Sequence, residues 1–203
     1  MLFITGAVLS TMCDASIFFW YAPFMIRTHQ IHVAELGWVM GVLIGFGQMF
    51  GILAGGFIGD YLSRRDIRWL MWIPGICCLV AILPAGVVYL THSKELATVL
   101  IAAPIFLSVI YWAPMIVVLR LLSPSGLLAT FIAMAYLLFN GIGYGLGPVI
   151  VGWLSDVLRA HFSDQSLRYA LLTTLPIYAI AAFAYFGSSY FIRTELARKT
   201  SPL

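Results

Sequence analysis

The chain has 203 residues, 62% hydrophobic and 9% charged, with a formal net charge of +3. Soluble domains carry roughly 25% charged residues, so this composition excludes a water-soluble fold, and the small positive charge gives no footing for nucleic-acid binding. Lipid solvates apolar side chains directly, and a helix of about 20 apolar residues spans the hydrocarbon core; the composition is that of an integral membrane protein.

Six apolar runs follow one another: Leu2–Ile26, Leu36–Gly59, Trp69–Leu90, Leu96–Leu119, Leu127–Leu154 and Tyr169–Ile192. A membrane barrel strand needs only about 10 alternating residues. These runs are longer and do not alternate, so each is predicted to be a transmembrane helix. The first run has no Lys or Arg before Arg27 and no small-residue cleavage site, unlike a signal peptide. It reads as a mature helix whose abrupt start fits a chain with something upstream missing.

Asp14 falls near the middle of the first run. A carboxylate at that depth costs ~2.5–3.5 kcal/mol on insertion scales and is read by default as functional. It should face the bundle interior, where it suits proton coupling; an incidental polar residue in a truncated chain is the equal alternative. Cys13, Cys77 and Cys78 all lie in apolar runs, which fits small apolar filler rather than disulfides or metal ligands. Gln48 and Asn140 are the other deep polar side chains. Gln48 reads as a helix–helix hydrogen-bonding group. Asn140 opens a glycine-rich run where close backbones leave room for a ligand, and joins Asp14 as a candidate for the substrate or proton path.

Glycines recur four apart at Gly37, Gly41 and Gly45, at Gly47, Gly51, Gly55 and Gly59, and at Gly143 and Gly147. Small residues at that spacing let membrane helices approach closely. Prolines at 23, 74, 84, 104, 114, 148 and 176 are predicted to kink or end helices. Trp20, Tyr21, Trp38, Tyr89, Trp153 and Tyr169 fall near one predicted interface, and Trp69, Trp72 and Tyr190 near the other, as an aromatic belt requires. All four histidines (His29, His32, His92 and His161) fall in connections on one side and read as solvated loop residues.

With the N-terminus in the cytoplasm, the inner segments hold Arg64, Arg65, Arg68, Arg120, Arg193, Arg198 and Lys199, and the outer ones Arg27, Lys94, Arg159 and Arg168. Cytoplasmic loops carry an excess of Lys and Arg. The bias places both termini inside, in the cell's inner membrane.

The two halves of the sequence resemble each other. Shifted by 96 positions, Gly45, Gly47, Gly51, Gly56, Asp60 and Leu62 fall on Gly141, Gly143, Gly147, Gly152, Asp156 and Leu158. Trp20-Tyr21-Ala22-Pro23 echoes Tyr111-Trp112-Ala113-Pro114, and Ile67-Arg68-Trp69 echoes Leu167-Arg168-Tyr169. Three helices is an odd number, so the second set enters from the opposite side, giving the inverted repeat on which many secondary transporters are built. The expected fold is therefore all-α, six transmembrane helices as a 3+3 inverted repeat, with triplets over 1–90 and 96–192 and a cytoplasmic tail over 193–203.

The segment Gly56-Phe57-Ile58-Gly59-Asp60-Tyr61-Leu62-Ser63-Arg64-Arg65 resembles the loop signature of the major facilitator superfamily, with Tyr61 and Ser63 departing from its usual Arg and Gly. Arg120-Leu-Leu-Ser-Pro-Ser-Gly126 and Asn140-Gly-Ile-Gly-Tyr-Gly-Leu-Gly-Pro148, followed by Gly152-Trp-Leu-Ser-Asp156, look like the last helices of spinster-like members. The resemblance implies half of a two-bundle transporter, the C-terminal half. It makes Gly56, Asp60, Arg64 and Arg65 a gating loop that latches the halves, and Gly152 and Asp156 its pseudo-repeat. Arg64 and Arg65 are close enough in sequence to pair with Asp60 or with lipid headgroups.

The implied function is secondary transport of a small organic solute by alternating access, with a lipid-like solute as a lean by analogy. The implied partners are the bilayer, the solute, and a missing six-helix half or second copy. A non-transporting fragment, or a subunit needing a partner half, is the alternative. An intramembrane protease would need a membrane-buried serine–histidine pair, and Ser125 sits in a loop. A water channel would need two Asn-Pro-Ala signatures. No catalytic set, cofactor or metal spacing is present.

Overall fold

The computed structural model describes residues 2–124 and 126–200, with side chains up to Thr194. Ser125, the side chains of Arg198 and Lys199, and the tail residues 201–203 lie outside the described residues. The first three passes are single helices, α1 (Leu2–His29), α2 (Val33–Ser63) and α3 (Trp69–Leu90). The fourth pass comprises α4 (Lys94–Leu100), α5 (Ala102–Ile110) and α6 (Trp112–Leu122). The fifth comprises α7 (Leu128–Leu138), a π turn (Phe139–Tyr144) and α8 (Gly145–Phe162). The sixth is α9 (Ser166–Leu172) and α10 (Thr174–Thr200), joined to α8 by a 3-10 turn. There is no strand among the described residues.

By length and apolarity alone, five helical runs could cross a membrane, the last of them 67 residues long, Leu128–Thr194. That run folds back on itself. Ser163 takes φ 46°, in the left-handed region, and the hydroxyls of Ser155 and Ser166 lie 3.2 Å apart. In one continuous helix residues eleven apart would be separated by about 16 Å. The run is two passes, and the described residues make six.

Proline sets where the later passes break. Interruptions at Ile101, Tyr111 and Thr173 each fall three residues before a proline: Pro104, Pro114 and Pro176. A proline carries no N–H for the carbonyl four residues back, so the ladder opens just ahead of it and the ring sits in the first turn of the next segment. The π turn ends at Tyr144, four residues before Pro148. Pro23, Pro74 and Pro84 lie inside unbroken helices. The last helix runs to Thr200, so most of the segment expected as a tail is helical and continuous with α10.

α1 packs against α10 and the fifth pass, α3 packs against α10 and α5, and α2 packs against α5 and α6. The core is apolar and aromatic, with Phe3, Tyr21, Phe24, Met25, Tyr89 and Tyr185 fully enclosed or nearly so. Tyr21 and Tyr89, expected in an interfacial belt, are instead core residues, and the Trp20 indole N–H donates to the Pro148 carbonyl at 2.7 Å.

The glycine runs divide in two. Gly51 faces the Phe106 carbonyl oxygen, where a Cβ would sit at 3.0 Å, and Gly55 faces the Ile110 backbone. The Ile110 carbonyl is the one left without a helical donor by Pro114, so the backbone of α2 lies directly on a proline-opened site. On the fifth pass Gly143 faces Thr11 and Gly147 faces Met12, both of α1. The second pass thus presses on the fourth through glycine and the fifth presses on the first. Gly37, Gly41 and Gly45 have nothing within 4 Å of a Cβ, so that stretch makes no close helix contact within this bundle. α2 buries only Leu36, Gly51, Gly55 and Gly59, and α8 buries only Gly147, Val151 and Ser155.

Polar contacts tie the two ends of the bundle. At one end Arg193 of α10 donates to Asp66 at 2.7 Å, and the Trp72 indole donates to Ser189 at 3.1 Å. At the other, Arg168 donates to the Thr91 carbonyl at 3.2 Å. Arg168 is buried, although its sequence position reads as a loop. It caps the C-terminal end of α3, where the helix dipole favours a cation.

Candidate functional site

Asp14 sits midway along α1, where alternate turns face α10 and the fifth pass. It is 8% exposed. Two tyrosine hydroxyls reach it from different passes: Tyr178 of α10 donates to Oδ1 at 2.6 Å, and Tyr111, at the α5–α6 break, donates to Oδ2. Tyr185, about two turns further along the same face of α10, shares a 3.0 Å hydrogen bond with Ser10 and lies against Tyr111, ring centroids 6.5 Å apart. The first, fourth and sixth passes therefore meet at one carboxyl group.

Beside this carboxyl lies a cavity of about 390 Å³, within the ~300–1,000 Å³ usual for ligand sites. Asp14 lines it, with Gln48 from α2, Ser108 and Trp112 from the fourth pass, and Tyr144 from the fifth. Five of the six passes contribute to its wall. The tyrosine donors were not singled out from the sequence as polar partners. Tyr111 and Trp112 do stand in the repeat echo, but nothing in one dimension ties Tyr111 or Tyr178 to Asp14, which lies 97 and 164 positions away. Gln48 lines the cavity rather than bridging two helices.

Asn140 is not part of this group. It is exposed, and its amide donates to the Tyr136 carbonyl of its own helix at 2.8 Å. The π turn that holds it rotates the chain so that Phe139 and Gly143 face inward instead. Asp14 and Asn140, expected to share one path, do not line the same cavity among the described residues.

The loop residues are placed as follows. Asp60 is exposed at the last turn of α2 and makes no ion pair among the described residues. Arg65 does not pair with it: its guanidinium donates to the Tyr61 hydroxyl at 2.5 Å and stacks over the same ring, 4.8 Å from the centroid. The acidic residue that does pair is Asp66, with Arg193. The Arg68 backbone N–H, first, and Arg193 beside it hold the Asp66 carboxyl below the usual carboxylate range. Gly56 has open space around it and Arg64 is exposed. At the other end, Gly152 faces the Trp20 ring and Asp156 is exposed. No cluster of three or more His, Cys, Asp or Glu residues fit to hold a metal occurs among the described residues.

No family model matches the sequence. The chain is 29% identical over 198 residues to an MFS-type efflux pump of Mycolicibacterium smegmatis (strain ATCC 700084 / mc(2)155), across 97% of this chain and 46% of that protein. Its fold matches the crystal structure of a bacterial homologue of the human lysosomal transporter Spinster. For the inward-facing, unoccupied conformation the TM-score is 0.83 with 22% identity, covering 96% of this chain and 48% of the other. For the inward-facing, occupied conformation the values are 0.80 and 21%, covering 96% and 49%. The chain spans about half the length of the relatives it matches, and those relatives are transporters rather than enzymes.

Proposed function

We propose that this membrane protein, which has the fold of half a major facilitator transporter, works as the C-terminal half of a secondary transporter moving a small organic solute, lipid-like solutes included, by alternating access. The observation that carries the reading is the cavity beside Asp14, where a buried carboxyl held by two tyrosines borders open space. Intramembrane carboxyls are costly and mark solute or proton paths. The similarity to an efflux pump along nearly the whole chain supports the same reading. In it, Asp14 carries the coupling proton.

One bundle supplies one wall of such a path. α2 and the fifth pass are each covered along a single glycine-lined stripe, and Phe46, Phe50, Phe57 and Trp153 are exposed on them. These faces meet a second six-helix half or a second copy of this chain. Asp60 and Arg64, without an ion pair among the described residues, form the gating contact across that junction with Gly56 and Arg65 beside them, and Gly152 and Asp156 form the related corner at the opposite face. The packing of the second pass on the fourth and of the fifth on the first is what two inverted triplets, 1–90 and 96–192, require. The excess of Lys and Arg at one end supports a topology with both termini in the cytoplasm, at the inner membrane.

The single wall also favours a second reading, a subunit or fragment that transports nothing by itself. The two are separated by measuring proton-coupled uptake or extrusion of a solute panel in vesicles, with the chain alone and with candidate partner halves. Flux that requires Asp14 and is lost in Asp14→Asn supports the transport reading. Flux unaffected by Asp14→Asn removes Asp14 from coupling, and no flux with any partner leaves the subunit or fragment reading.

A further inference from the structure

We propose that the cavity beside Asp14 takes an amphipathic organic cation, one positive centre on an apolar body, and that this cation and a proton occupy the Asp14 carboxylate in turn. The inference rests on the reading of this cavity as part of the solute path, and names the charge of what passes.

The wall has one carboxyl group and, among the described residues, no base. No described lysine, arginine or histidine lines the cavity, and Asp14 has no salt-bridge partner among the described residues. An anion entering would meet a carboxylate and no cation to hold it. A cation would meet the reverse. Five aromatic rings line the space: Phe18, Trp112, Tyr136, Tyr144 and Tyr178. Trp112 and Tyr136 stand as a tilted pair with centroids 5.9 Å apart. Ring faces attract cations by ~0.5–2 kcal/mol each and repel anions. The remaining lining is mostly aliphatic and suits an apolar body.

The carboxylate has room for the ligand. An ionised carboxylate has about four acceptor sites, and the two tyrosine hydroxyls use two of them. The tyrosines orient the group and cannot neutralise it. A buried carboxylate without a counter-charge is strongly disfavoured, so either a proton or a bound cation must supply the charge, and the two exclude each other. The titratable groups facing Asp14 are Tyr111 from the fourth pass, Tyr144 from the fifth, Tyr178 and Tyr185 from the sixth, Cys77, Cys78 and Tyr89 from α3, and Cys13 on α1. α2 presents Gln48, which does not titrate. Tyrosine and cysteine remain neutral below pH 7, so acidification acts on the carboxylate alone.

The test uses two probes of one shape and opposite charge, tetraphenylphosphonium and tetraphenylborate. Binding to the full chain in lipid nanodiscs is measured by equilibrium dialysis, with empty nanodiscs subtracted. Saturable tetraphenylphosphonium binding is expected, weakened at least tenfold by Asp14→Asn, and weakened several-fold both by a shift from pH 7.5 to 5.5 and by Trp112→Leu. Tetraphenylborate is expected to show no saturable binding. The comparison of the two probes on the unaltered chain needs no variant to fold. Saturable tetraphenylborate binding equal to or tighter than that of the cation overturns the cation assignment and leaves a solute path of other preference. Cation binding indifferent to both Asp14→Asn and pH overturns the exchange at Asp14. Failure of both probes to bind overturns the assignment, while the vesicle flux measurement judges the transport reading separately.

Discussion

Replacing Gly55 with alanine tests whether the contact between the second and fourth passes is as close as the structure has it. A Cβ at Gly55 overlaps the Ile110 carbonyl oxygen and lies 2.8 Å from its carbon and 3.0 Å from its Cα. Ordinary contact begins at 3.4 Å, so α2 and the α5–α6 break must part by more than half an ångström. Every atom met is backbone, and no side chain can rotate away. Overpacking of this kind costs ~1–3 kcal/mol, with rigid neighbours at the upper end, and alanine returns ~1 kcal/mol of helix propensity. The next residue is the control: a Cβ at Gly56 meets nothing within 4 Å, so Gly56→Ala gains the propensity alone. The two variants should differ by about 3 kcal/mol, more than a hundredfold in the folding equilibrium. Unfolding in mixed detergent micelles, followed by circular dichroism against denaturing-detergent fraction, measures both. If Gly55→Ala is as stable as Gly56→Ala, the packing argument for the glycine stripe is wrong.

Other consequences are open to measurement. Tyr178→Phe removes the donor to Asp14 Oδ1 and leaves a buried acceptor short of a partner, so it should destabilise the chain by ~1–3 kcal/mol in the same micelle titration; an unchanged midpoint would show that water or another group fills the place. The Asp66 carboxyl should titrate below the ordinary ~3.9 by carbon-13 NMR, and Arg193→Gln should move its midpoint up. Because its folded value is depressed, the contact contributes above the unfolded value and fades as the pH falls through the folded one; an Asp66 midpoint unaffected by Arg193→Gln would mean the pair is not formed in the membrane. Arg168→Met should lower stability by ~1–2 kcal/mol through loss of the charge at the α3 C-terminus, read by the same unfolding, with no loss expected if Arg168 lies in water. Asp60→Asn should lower uptake by a transport-competent assembly while leaving the stability of this chain unchanged, and normal uptake would remove Asp60 from gating.

Local residues announce several of these features before any fold is known. Apolar length fixes the spans, because about 20 residues are needed to cross the bilayer. Proline spacing gives the breaks at Ile101, Tyr111 and Thr173, because a missing N–H acts within four residues. Pro23, Pro74 and Pro84 show the limit of that rule, since the surrounding helices hold α1 and α3 unbroken around them. Spacing by four marks Gly51, Gly55 and Gly147 as close-packing positions, but gives the same promise for Gly37 and Gly41, which touch nothing.

The site was half legible. Depth in an apolar run singles out Asp14, since the cost of burying a carboxyl depends on the span alone. The same reasoning singles out Asn140, but in the π turn its amide bonds the Tyr136 carbonyl of its own helix, away from the Asp14 cavity. In the loop, sequence distance offers Arg64 and Arg65 to Asp60, but Arg65 lies on Tyr61 and Asp66 takes Arg193 from the far end of the chain.

The sequence by itself therefore determined the membrane, the passes, the proline breaks and one deep carboxyl, all properties that a residue carries with its immediate neighbours. Only the tertiary structure decided what meets that carboxyl. Tyr111 and Tyr178 reach Asp14 because the first, fourth and sixth passes converge, and that convergence depends on which faces are free of bulk, a condition spread over helices that no local pattern records.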